Sequence, residues 1–63
     1  MTNVEVIAAR SRAIRFFGED AYWEMVQAAR DKFNRDGLYL PPQGIEYAPE
    51  FWQAIDCIIN DSL

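Results

Sequence analysis

Cys57 is the single cysteine of this chain, and as a thiolate it would be a natural nucleophile. Nothing nearby activates it: the sequence has no histidine, and no basic residue lies within one helical turn of it. It reads as a structural or incidental thiol on a helix edge. Carboxylates offer the other chemistry. Glu19-Asp20, and Glu46 with Glu50, have the residue types for acid/base work or for holding a hard cation. Neither pair has the spacing of a calcium-binding loop, and Glu19-Asp20 falls where a helix N-terminus favours negative charge. No catalytic residue, metal ligand or cofactor is expected, and the expected class is non-enzymatic.

The basic side chains are Arg10, Arg12, Arg15, Arg30, Lys32 and Arg35, all in the first part of the chain. Arg12, Arg15 and Phe16 share an outward face, and Arg30 approaches Trp23. Basic groups interleaved with rings can bind single-stranded nucleic acid by stacking, so these six are the contacts a nucleic-acid-binding reading would use. The formal net charge of −4 argues against that partner, and equally against an anionic membrane surface. Beyond Arg35 every charge is acidic: Asp36, Glu46, Glu50, Asp56 and Asp61.

Size and contents conflict. The chain has 63 residues, 51% of them hydrophobic, with four Phe, three Tyr and two Trp. A folded monomer of this size exposes on the order of 4,000 Å², and each ring needs roughly 150–250 Å² of cover. An apolar patch should remain in water, and such patches mark association surfaces. A core of this size supplies only about 3–5 kcal/mol without a staple. With no disulfide possible and no histidine for a metal site, the staple that remains is oligomerisation. One domain spanning residues 1–63 is expected. The N-terminus shows no basic region followed by an apolar run and no stretch is apolar enough to cross a membrane, so the expected compartment is the cytosol.

Local signals place the elements. Thr2-Asn3-Val4-Glu5 has the form of a capping box and predicts a helix start. Val4, Ile7, Ser11 and Ile14 then share one stripe, with Val6, Ala13 and Phe17 beside it. Arg10 intrudes on this apolar side, either snorkelling or meeting a carboxylate across an interface. Gly18 suits a helix end and Asp20 a helix start, so the chain bends or breaks there. A second helix to about Asp36 carries Tyr22, Met25, Val26, Ala29 and Phe33 on one face, and Gly37 terminates it.

Leu38, Tyr39 and Leu40 have strand character. Their mate is either Ile45–Tyr47, across Pro41-Pro42-Gln43-Gly44, or the same strand of a second copy across a two-fold axis. Pro49 opens a last helix to about Asn60. Phe51, Trp52, Ala54, Ile55, Ile58 and Ile59 cover more than half of its circumference, as suits a helix contacted by its own subunit and by a neighbour.

The predicted fold class is therefore mainly α, with one short β-strand per chain, in a small helical homodimer with an intersubunit core. Phe17, Tyr22, Met25, Phe33, Leu38, Tyr39 and Leu40, with Phe51, Trp52, Ile55, Ile58 and Ile59, are the candidate dimer or partner surface. A groove on such a dimer would take an amphipathic helix.

From MTNVEVIAARSRAIRFFGEDAYWEMVQAARDKFNRDG through YLPPQGIEYAPEFWQAIDCIINDSL the whole chain resembles the small early proteins encoded in the exo-xis region of temperate lambdoid phages, Shiga-toxin phages among them. Length and whole-chain likeness carry the resemblance; no functional motif does. It implies a protein made early in infection, in the cytoplasm of the bacterial host, that favours lytic over lysogenic development. It also implies a homodimer of helices with one strand per chain. It transfers no catalytic or ligand residue, and it leaves the binding partner an unidentified host or phage protein.

Overall fold

The computed structural model describes residues 1–63 and is mainly helical. Helix α1 spans Asn3–Phe17, α2 spans Glu19–Asp36, a single 3-10 turn covers Ile45–Tyr47, and α3 spans Pro49–Ser62. The capping box forms in full: the Thr2 hydroxyl accepts from the Glu5 N–H at 3.3 Å, and the Glu5 carboxylate accepts from the Thr2 N–H at 3.3 Å. Gly18 breaks the helix outright. Its φ of 90° and ψ of 154° lie where a β-carbon is strained, and its N–H closes α1 on the Ile14 carbonyl at 2.8 Å. The restart comes two residues earlier than a cap at Asp20 would give, at Glu19. Asp20 therefore sits in the first turn of α2, where its charge meets the helix dipole, and Gly18 holds the cap position.

Gly37 ends α2 in the left-handed region (φ 71°, ψ 22°). The Leu38 N–H returns to the Phe33 carbonyl at 3.0 Å and the Gly37 N–H to the Asn34 carbonyl at 3.3 Å, the paired bonds of a Schellman motif. Space around Gly37 is open, so a methyl group there meets only backbone strain. Gly37→Ala is expected to destabilise the chain by about 1 kcal/mol, lowering the thermal midpoint by about 4–8 °C for a domain of this size. A thermal melt followed by circular dichroism checks this, with an unshifted midpoint as the contrary result.

The expected strand is not formed within the single chain. Leu38, Tyr39 and Leu40 follow an irregular path, and Leu38 and Tyr39 are exposed. The turn between the two segments does close, with the Gly44 N–H on the Pro41 carbonyl at 2.9 Å. Its far arm, however, coils into the 3-10 turn instead of extending back as a strand. That coiling buries Ile45 and brings Glu46 to the helices, which outweighs a short ladder between two solvated segments.

The core draws on every element: Val6 and Ala13 of α1, Tyr22 and Val26 of α2, Ile45 and Ala48 of the connection, and Phe51, Trp52 and Ile55 of α3. Tyr22 and Trp52 stack with centroids 6.4 Å apart, and Phe51 meets Trp52 edge-on at 4.8 Å. The face that α1 buries overlaps the expected one only in part: Val6, Ala13, Ile14 and Phe17 face the core as expected, but Val4, Ile7 and Ser11 do not. Val6, Ala9, Arg10, Ala13 and Phe17 turn inward, while Val4 and Ile7 are 76% and 58% exposed. Small side chains at Ala9 and Ala13 let the helix approach its neighbours closely, and the polar partner of Arg10 fixes the rotation. Hydrophobicity alone centres the face one position away, on Val4 and Ile7.

Candidate functional site

Glu46 is where the three helices are tied together. Its carboxylate receives two parallel bonds from Arg10 of α1, from Nε at 2.8 Å and from Nη2 at 2.9 Å. The Tyr22 hydroxyl of α2 donates to the same carboxylate. Trp52 of α3 donates its indole N–H to the Glu46 backbone carbonyl at 2.6 Å. The Arg10 guanidinium also lies over the Trp23 ring, 6.0 Å from its centroid. The Arg10 partner is thus a carboxylate of the same chain, not one across an interface. No buried side-chain polar atom is left without a partner. A paired role for Glu46 and Glu50 as acid and base has no support in this arrangement, because Glu46 is fully engaged.

These contacts set the protonation states. Burial alone would raise the Glu46 carboxyl, but the hydrogen bonds from Arg10 and Tyr22, with the charges of Arg10 and Arg30, hold it below its ordinary value of 4.5. Tyr22 is pushed up from 10.0, first by burial and then by the hydrogen bond it donates to Glu46. The lowered Glu46 contributes stability that is present above the ordinary carboxylate range and lost as pH falls through its folded value. The raised Tyr22 contributes stability present below about pH 10 and lost as pH rises through its folded value. With no histidine to titrate between these limits, the thermal midpoint is expected to be level from about pH 5 to about pH 9 and to fall on both sides. Glu46→Gln should flatten the acid limb; an unchanged acid limb would show that other carboxylates set it.

The candidate surface residues separate into three groups. Tyr22, Phe51, Trp52 and Ile55 are buried within the subunit, so Tyr22 and Trp52 belong to its own core and are not offered to a partner. Phe17, Met25, Phe33, Leu40 and Ile59 are half-buried and pack against that core. Leu38, Tyr39 and Ile58 are exposed.

What remains open is a groove between α2 and α3. The first packs chiefly on α1 and the second chiefly on the 3-10 turn, so the two helices touch each other little. The groove between them encloses about 220 Å³ and is lined by Met25, Ala28, Ala29, Phe51, Ala54, Ile55 and Ile58, all seven apolar. Three alanines on its walls leave room for a helix to approach closely. Ala28 is the member that sequence reasoning passed over. It lies three residues after Met25, but its small side chain adds little to an apolar stripe.

The basic residues do not form one site by ion pairing or burial. Arg10 is bound to Glu46 and Arg12 to Asp56, while Arg15, Arg30, Lys32 and Arg35 are exposed. No three acidic or cysteine side chains gather where they would hold a metal ion, and Cys57 is an exposed free thiol. No helix is long and apolar enough to cross a membrane. No protein-family model, curated protein or solved structure matches the chain.

Proposed function

We propose that this protein is a non-enzymatic regulator that acts by binding. Two copies associate along the α2/α3 groove into a helical homodimer, and the dimer binds a host or phage protein in the cytoplasm of the infected bacterium, favouring lytic development. The observation that carries the association is the groove itself, wholly apolar in a chain that buries only nine of its 63 residues. Leu38–Leu40, exposed and without a ladder of its own, pairs in this reading with the same segment of the sister subunit. The resemblance to lambdoid early proteins supplies the biological setting.

Molar mass followed across a wide dilution series, with helical content in parallel, tests the association. The expected result is twice the subunit mass of 7.3 kDa at the concentrated end, with helix lost as the dimer dissociates. A folded subunit of constant single mass would overturn it. Salt separates a protein partner from nucleic acid: apolar capture of a protein keeps its affinity as salt rises, whereas binding through Arg15, Arg30, Lys32 and Arg35 would fall steeply by counterion release.

A further inference from the structure

A second concavity, of about 290 Å³, lies where the chain leaves α2 and enters α3. Phe33, Tyr39 and Tyr47 are among the residues that line it, with Pro41 and Pro49, and Glu50 is the one charged residue on its wall. The two ion pairs of the chain use Glu46 and Asp56, so Glu50 is without a cation. None of the six basic side chains lines the pocket.

Its frame is held from several sides. The Schellman bonds at Gly37 fix the backbone before Leu38, and the Pro41–Gly44 turn fixes the next stretch. Tyr47 is anchored by its hydroxyl, which donates to the Asn3 side-chain oxygen at 2.7 Å. Tyr39, by contrast, is 77% exposed, a large ring at the rim with nothing covering it.

Ring faces carry partial negative charge and attract organic cations, and a carboxylate at the edge of such a set supplies the counter-charge. We propose that this pocket binds a lysine or arginine side chain presented by a partner protein, with Tyr39, Tyr47 and Phe33 as walls and Glu50 as counter-ion. Charge complementarity favours this occupant: the chain carries −4 overall, and no basic residue follows Arg35. A proline-rich segment would use the rings but leave Glu50 idle. The inference rests on the reading of the protein as a binding module and names the chemistry of its partner; it requires that any backbone ladder through Leu38–Leu40 leave the Tyr39 ring and Glu50 uncovered.

The test is a titration of the full chain with three short uncharged-flanked peptides, centred on lysine, arginine or norleucine, observed through the ring resonances of Phe33, Tyr39 and Tyr47. Lysine or arginine peptides should give saturable shifts, and the norleucine peptide should bind about tenfold more weakly or not at all. Glu50→Gln and Tyr39→Ala should each weaken binding about five- to tenfold while helical content is unchanged, since both residues are exposed. Equal binding of the norleucine peptide, or no change in Glu50→Gln, overturns the proposal. Tighter binding of a proline-rich peptide overturns it in favour of that class. Dissociation of the dimer by the basic peptide overturns it in favour of the sister subunit as occupant. Molar mass recorded alongside keeps the two readings apart: a doubled mass with no ring shifts refutes the pocket and leaves the homodimer standing.

Discussion

Glu46→Ala is expected to leave most of the chain unfolded at dilute concentration. Removing one partner of a fully buried ion pair costs about 3–5 kcal/mol, but this pair is part-buried with the Arg10 side chain 35% exposed, so solvent screening reduces its share to about 1–2 kcal/mol. The Tyr22 hydroxyl, wholly inside the core, loses its acceptor, which adds about 1–3 kcal/mol. The sum, about 2–5 kcal/mol, is comparable to the entire stability of about 3–5 kcal/mol expected of so small a core. Tyr22→Phe, which leaves the Arg10 pair intact, should cost only about 1 kcal/mol. Arg10→Met, Tyr22→Phe and Glu46→Leu made together should recover most of the loss, because no uncompensated polar group is then left inside. Chemical denaturation of the four proteins checks this. A combined variant as unstable as Glu46→Ala would place the role of Glu46 in the turn itself and not in its carboxylate.

Ile58→Lys should abolish self-association while sparing the subunit. Ile58 is 45% exposed in the single chain and lies well along α3, where a lysine suits both helix propensity and the dipole. In a dimer closed over the groove, the same ammonium would be buried against Met25 and Ala54. An effect of at least about 100-fold on the dissociation constant, about 2.7 kcal/mol, is expected. Ile7→Lys is the matched control, on the exposed outer face of α1. Sedimentation at a concentration where the parent is paired distinguishes them: loss of pairing in Ile7→Lys and not in Ile58→Lys would move the interface to α1.

The features legible in the sequence are the ones decided locally. Thr2 and Glu5 cap α1 through bonds three residues apart, Gly18 and Gly37 need conformations other residues resist, and Pro49 starts a helix because it lacks an N–H. What escaped is decided at long range. Glu46 meets Arg10 across 36 positions and Tyr22 across 24, and nothing in its neighbours distinguishes it from a solvated glutamate. The same bond sets the rotation of α1, so missing it meant assigning Val4 and Ile7 to the inner face. Leu38–Leu40 finds no ladder within the single chain for a related reason: β-propensity says that a segment fits a ladder, not that its mate is free, and Ile45–Tyr47 is drawn off into the core. Of the groove, the large members Met25, Phe51, Ile55 and Ile58 were visible as stripes, but the sparse contact between α2 and α3 that leaves it open follows only from how each packs on a third element.

The residue that joins the three helices comes late in the chain, and this bears on what an incomplete product can be. A polypeptide that stops before Ile45 already holds both long helices, yet Arg10 and Tyr22 then have no acceptor and the aromatic layer lacks its Trp52. Such a fragment is not a smaller version of the protein but an open surface awaiting its last third. The tertiary ties of the first two helices thus depend on the last residues to join the chain, and a prematurely ended copy should be more open to proteolysis than the full one.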